Sequence, residues 1–180
     1  MKRGAGHSTR NVRRSREAII ATFNGLVLNG RYKRLGIREL VRRAGVARST
    51  FYEHFDDKTA LLIESMYPLL SVLAEAACGM DEPRLTWVLD HMEQQRENAL
   101  TLFAASVERQ AIETGLARLI AQHVPKTGTA LPRDDIASTL ARTTIGLIGD
   151  WLAREARSPS RIMANVMRDG LAALKASICA

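Results

Sequence analysis

Apolar residues recur at three- and four-residue spacing along most of the chain, and no segment alternates at the two-residue period of a strand between hairpin signals. The pattern predicts an all-α protein. A first helix is expected over residues 10–28, with Ile19, Ile20, Phe23, Leu26 and Val27 on its apolar stripe and Asn29-Gly30 as its C-terminal stop. A second begins near Ile37 and buries Ile37, Leu40, Val41 and Ala44. Gly45 then turns the chain, since a tight junction between helices favours a residue free to take positive φ.

Residues 47–55 make a short third helix. Phe51 and Phe55, four positions apart, share one face and leave Arg48, Ser49, Thr50, Glu53 and His54 on others. Asp56 or Asp57 caps the fourth helix, whose Leu61, Leu62 and Met66 continue the core. Two short amphipathic helices hinged at Ala44-Gly45-Val46 have the layout of a helix-turn-helix, whose positive, hydroxyl-rich second helix can enter the major groove of DNA. Pro68 is expected to kink or end the fourth helix, and the boundary is placed there. Residues 1–66 then form a DNA-binding domain with a basic N-terminal arm, and 67–180 a regulatory and dimerisation domain.

In the second half, Pro83 marks a new helical start with Leu85, Val88, Leu89 and Met92 on one stripe. Helices follow over 97–107 and 108–123, then a loop by composition over 125–132. From 134 to 154, Ile136, Leu140, Leu147, Ile148, Trp151 and Leu152 are interleaved with Gly146 and Gly149, which let another helix approach closely. Ser158 and Pro159 open the final helix, striped by Ile162, Val166, Leu171, Leu174 and Ile178. These two helices present more apolar surface than a small domain covers. The economical arrangement is a two-fold four-helix interface with a second copy, through Ile136, Leu140, Leu147, Trp151, Ile162, Val166 and Leu174.

Charge sharpens the division. The chain of 180 residues has a net charge of +7, but residues 1–60 hold 14 Lys/Arg against 5 Asp/Glu, leaving 12 against 14 for the rest. Only the N-terminal third is built to meet a polyanion. An anionic membrane surface is the competing partner, yet these arginines flank a helix pair with a tight turn and do not line one long apolar-faced helix. No apolar run approaches the roughly 20 residues that span a bilayer, and the basic start lacks the apolar stretch of a secretory signal. A cytoplasmic location is expected.

The same residues argue against catalysis. His7, His54, His91 and His123 lie on separate segments without carboxylate or cysteine neighbours at ligand spacing, and Cys78 and Cys179 form no CxxC pair. There is no Gly-rich phosphate loop or nucleophile elbow. Neither an enzyme, a metal site nor a cofactor is expected.

Arg38-Glu39-Leu40, Ala44-Gly45-Val46, Tyr52-Glu53-His54-Phe55 and Lys58 fall at matching spacing to a known pattern. The stretch resembles the DNA-binding domain of TetR-type transcriptional regulators. Two positions depart from it: Gly36 stands where a threonine often caps the second helix, and Glu53 where an aromatic is frequent. Glu53 is either a specificity element, accepting from cytosine N4, or simply solvent-facing. Resemblance and chemistry together make Thr50, Tyr52, His54 and Lys58 the best DNA-contact candidates, with Arg48, Ser49 and Arg38 beside them. Tyr52 and Lys58 are assigned to phosphates; Arg48, Ser49 and Thr50, near the start of the recognition helix, to base edges. Tyr52 as a core ring with a wet hydroxyl and His54 as a structural histidine are the alternatives. Arg10, Arg13, Arg14 and Arg16 of the arm add backbone or minor-groove contacts, unless the arm is a solvated, disordered tail.

The motif Gly-Leu-Ile-Gly-Asp-Trp-Leu at 146–152 is similar to the C-terminal domain of a TetR branch that includes regulators of dihydroxyacetone kinase operons. That resemblance implies a small-molecule effector, with Trp87, His91, Met92, Phe103 and Trp151 as candidate pocket residues, each of which is otherwise an ordinary core or interface side chain. The expected function is a sequence-specific regulator, a repressor that binds a palindromic operator in double-stranded DNA as a homodimer and is released by a small molecule. A constitutive DNA-binding regulator or co-activator without a ligand is the alternative. It requires a filled core in residues 69–180, whereas a sensor requires a cavity of about a few hundred cubic ångströms.

Overall fold

The computed structural model describes residues 5–28, 30–80, 83–126 and 128–179, and for residues 5–10 the backbone alone. Among the described residues the regular structure is helical: α1 (Ala5–Leu28), a 3-10 turn (Tyr32–Arg34), α2 (Ile37–Ala44), α3 (Arg48–His54), α4 (Lys58–Ala77), α5 (Leu85–Gln94), α6 (Arg96–Ala104), α7 (Ser106–His123), α8 (Arg133–Ala153) and α9 (Ser160–Cys179). They pack as two compact units, Met1–Ser65 and Met66–Ala180.

In the first unit α1 lies against α2 and α3, and α2 against α3. Ile19, Phe23 and Leu26 of α1 are buried with Leu40, Val41, Phe51 and Phe55. Removing each such side chain from water stabilises the unit by about 1.5–3 kcal/mol, which holds together helices too short to persist alone. Gly30 at φ 71° ends α1. Its N–H bonds the Val27 carbonyl at 2.9 Å, and Arg31 N–H bonds that of Leu26 at 3.1 Å. Asn29, expected in the same stop, lies outside the described residues. Gly45 ends α2 in the left-handed region at φ 67°, and Val46 N–H closes the turn on the Val41 carbonyl at 3.0 Å. A Cβ at that φ is strained, so glycine fixes the angle between α2 and α3.

Two expectations change and one with two alternatives is resolved. The arm helix begins at Ala5, earlier than residue 10. Of the two expected caps, Asp57 is the one that serves α4, its Oδ1 accepting from Ala60 N–H at 2.7 Å. Pro68 does not end α4, since the helix runs on to Ala77. Proline removes one N–H donor from the ladder, but Pro68 is exposed while Leu61, Leu62, Leu70 and Leu73 on either side are buried, and that burial outweighs one missing bond. α4 is also long and apolar enough to cross a membrane by length and composition alone, contrary to the sequence reading. Leu61, Leu62, Leu70, Val72 and Leu73 are packed inside the protein, while Tyr67 is exposed and Ile63, Met66 and Leu69 are half-buried.

In the second unit α8 packs on α7 and α9, α6 touches α7 and α8, and α9 covers α5. Ile112, Leu116 and Ile120 of α7 meet a core of Ile136, Leu140, Ile148 and Leu152 from α8 and Met167 and Leu171 from α9. Two buried polar groups find partners: the Thr144 hydroxyl donates to the Leu140 carbonyl at 2.7 Å, and Trp151 Nε1 donates to that of Ser158 at 2.9 Å. Cations close helix C-termini, with Arg96 Nε on the Leu152 carbonyl at 2.7 Å and Lys175 Nζ on that of Cys78 at 2.8 Å.

Candidate nucleic-acid interface

α3 is anchored by Phe51, which is fully buried and edge-on to Tyr52, with ring centroids 5.3 Å apart. The Phe55 ring follows at 5.6 Å from Phe51. With that face fixed inside, the helical period leaves Arg48, Ser49, Tyr52 and Glu53 exposed and Thr50 half-buried. Arg48 is already oriented: its guanidinium lies over the Tyr52 ring, 5.7 Å from the centroid, and donates to the Tyr52 hydroxyl at 3.3 Å. Tyr52 is 46% exposed, so its ring lies outside the core and supports an arginine.

On α2 two rows of charge separate. Glu39 pairs with Arg43 at 2.9 Å and faces Arg31 at 3.8 Å. Arg38 and Arg42, four residues apart and exposed, have no acidic partner among the described residues. Arg42 went unnamed in the sequence reading, although its spacing from Arg38 puts both on one helical row. In the arm, Arg13 and Arg14 are exposed, with Arg13 in a 3.5 Å pair with Glu17. Arg16 is turned the other way, over the Phe55 ring and against Glu64 at 2.5 Å, so it is held by protein and is not a free arm contact. The Arg10 side chain lies outside the described residues.

Two more candidates are engaged by the protein itself. Lys58 Nζ donates to the Tyr32 carbonyl at 3.1 Å and to that of Leu35 at 3.4 Å. His54 is half-buried, with Nε2 2.8 Å from Ser15 Oγ. Neither bond was legible in the sequence, because the partners are 26 and 39 residues away.

Residues 31–64, which run from the turn before α2 through α3 into α4, match the family model described as bacterial regulatory proteins, tetR family. These residues form a DNA-binding domain of the tetR family. The chain's fold is similar to that of a solved TetR transcriptional regulator from Streptococcus agalactiae 2603V, at 21% identity and TM-score 0.58, covering 93% of this chain and 99% of that one. A putative transcriptional regulator TetR family protein from Vibrio parahaemolyticus aligns at 21% identity and TM-score 0.33, over 89% of this chain and 84% of its own. No curated protein matches. The family consists of regulators and is not enzymatic.

In the second unit the five expected pocket residues are placed differently. Met92, Phe103 and Trp151 are buried in the core, whereas Trp87 is 62% exposed and stacks on His91, ring centroids 5.7 Å apart. Trp87 lies two positions from the buried Leu85 and Leu89, on the far side of α5. An open groove of about 600 Å³ lies between α7 and α8, lined by Gln110, Glu113, Thr114, Ala117, Arg118, Ala121, Asp134, Ala137, Ser138 and Arg142. The expected dimer contacts divide as well. Ile136, Leu140 and Trp151 are buried within their own chain and are not available to a second copy. Ile162 and Val166 are exposed, and Leu147 and Leu174 half-buried.

Proposed function

We propose that this regulator is a repressor that binds a palindromic operator as a homodimer and is released by a small molecule. The exposed side of α3 carries the reading: Arg48, stacked on Tyr52 and beside Ser49 and Thr50, supplies the hydrogen-bond donors that a base edge in the major groove would accept. Base contacts are assigned to Arg48, Ser49 and Thr50, and phosphate contacts to Tyr52, Arg38 and Arg42 with Arg13 and Arg14 of the arm. Each phosphate neutralised releases counterions, so affinity falls steeply with salt. Residues 1–66 are the reading head and 67–180 the regulatory and dimerisation domain, acting in the cytoplasm where the DNA is.

Ile162 at 41% and Val166 at 55% exposure, one turn apart on α9, support the dimer. Together with Leu147 and Leu174 they leave apolar surface that the chain does not cover. Two copies place two recognition helices on half-sites about a helical turn or more apart, which multiplies specificity. The 146–152 motif supports the branch that includes dihydroxyacetone-kinase regulators. The α7/α8 groove is of ligand size, and its Arg118, Arg142, Glu113 and Asp134 suit a polar effector.

A second reading, a constitutive regulator or co-activator without a ligand, is favoured by the burial of Met92, Phe103 and Trp151 in a filled core. Selection from a random duplex library at near-physiological salt tests the main reading. A recovered palindrome supports the dimeric, sequence-specific regulator; a pool with no shared motif overturns it.

A further inference from the structure

The arm helix and the recognition helix meet at a polar contact. Ser15 Oγ lies 2.8 Å from His54 Nε2 and 2.9 Å from the Val12 carbonyl oxygen. A hydroxyl has one proton and two lone pairs. Both contacts are therefore hydrogen bonds only when the ring supplies a proton: Ser15 donates to the Val12 carbonyl, and His54 Nε2–H donates to Ser15 Oγ. With the hydroxyl proton on the ring side instead, two acceptor oxygens face each other at 2.9 Å with no proton between them.

We propose that Ser15 is a positioning residue for DNA recognition, its hydroxyl holding His54 as the Nε2–H tautomer and locking the arm helix to the end of the recognition helix. The role presupposes that α3 is the helix that reads the groove. Neighbours on the same side of α1 complete the lock: Arg16 reaches the Phe55 ring and Glu64, and Ile19, one turn on, is fully buried. At about 100° of helical rotation per residue, fixing Ser15 inward turns Arg13 and Arg14 outward, where they are exposed. The lock thus sets the direction in which the arm presents its guanidiniums. With Nε2 engaged, the Nδ1 of a neutral His54 is an acceptor that phosphate oxygens repel, so the neutral ring acts through Ser15 and does not touch the backbone of DNA itself.

The test uses the full chain. Nitrogen-15 correlation spectra of the imidazole read which ring nitrogen of His54 is protonated; Nε2–H is expected, and an Nδ1–H tautomer overturns the lock. Affinity is then measured for the duplex recovered by selection. Ser15→Ala is expected to lower it about three- to tenfold, the worth of one partly buried hydrogen bond, and Ser15→Thr, which keeps the hydroxyl, to restore it. Alanine favours a helix at this half-exposed position, so Ser15→Ala keeps the fold. His54→Gln, whose amide nitrogen lies near the Nε2 position, should bind more tightly than His54→Asn, whose amide lies near Nδ1. The reverse order, or wild-type affinity in Ser15→Ala, overturns the proposal. A wild-type chain that prefers no duplex overturns the groove-reading role and the positioning role with it, while the tautomer, read without DNA, decides the Ser15–His54 bond separately.

Discussion

Lys58 stands over Tyr32, its ammonium nitrogen 4.2 Å from the ring centroid and 3.1 Å from the carbonyl oxygen of the same residue. The first residue of α4 therefore closes the 3-10 turn between α1 and α2, with Leu35 as a second carbonyl partner at 3.4 Å. Tyr32 is in turn buried edge-on against Phe23, 6.1 Å between centroids, so the cation is tied to the core of the reading head.

A residue so placed serves the fold before it serves DNA. Lys58→Met, which keeps the aliphatic stem and removes the charge, is expected to cost about 1–3 kcal/mol of stability in urea unfolding, from one charged hydrogen bond and a cation–π contact. The logarithmic salt slope of DNA binding should stay at its wild-type value. A slope lower by about one would make Lys58 a phosphate contact after all.

Arg48 and Tyr52 are coupled across one helical turn, and the coupling predicts how their variants rank. Arg48→Ala should weaken the selected operator by about 1–3 kcal/mol more than random duplex, since bidentate contacts to a base edge discriminate by that amount. Tyr52→Phe keeps the ring under the guanidinium and loses only the 3.3 Å bond, so its loss of operator preference should be smaller than that of Arg48→Ala. Equal losses of Arg48→Ala on operator and random duplex would assign Arg48 to phosphate.

Helical period was readable throughout, because burial is a property of one helix at a time. The stripe Leu85, Val88, Leu89 and Met92 is buried as its spacing implies, and Gly45 takes the left-handed turn that its junction requires. What lies on the other side of a stripe was not readable. Ile136, Leu140 and Trp151 have the same period whether they face α7 and α9 of one chain or a second copy, and only the packed structure decides for the former. Trp87 was legible and missed, since its offset from the α5 stripe already pointed it outward. The Ser15–His54 and Lys58–Tyr32 contacts join residues from different helices, a relation that local pattern does not encode.

Cys78 gives the second unit a pH dependence of known sign. Burial raises its thiol pKa above the ordinary value of 9.0, the nearby Lys175 ammonium opposes the shift, and Cys179 adds to it. Unfolded chain sheds the thiol proton near pH 9.0 while folded chain still holds it. The contribution to stability is therefore constant at lower pH and is lost as pH rises through the folded value. Relative to Cys78→Ala, the wild-type unfolding free energy should be flat up to about pH 8 and fall above it. A relative stability that climbs with alkaline pH would reverse the assigned shift. Thiol reagents should also modify the half-buried Cys179 before the buried Cys78.

The proposed dimer is tested most sharply by contrasting two kinds of apolar residue on the last two helices. Val166 is exposed, so Val166→Asp leaves the fold intact and places a charge only where a second copy would bury it. Sedimentation velocity should show monomer, and operator affinity should drop because the half-sites are no longer read together. Trp151→Asp puts the same charge into the chain's own core and removes the indole bond to Ser158, so it should lower the unfolding free energy by several kcal/mol whatever the association state. A dimeric Val166→Asp would place the interface elsewhere than on the Ile162–Val166 face of α9. A Trp151→Asp chain that is monomeric but as stable as wild type would return Trp151 to the interface from which its burial now excludes it.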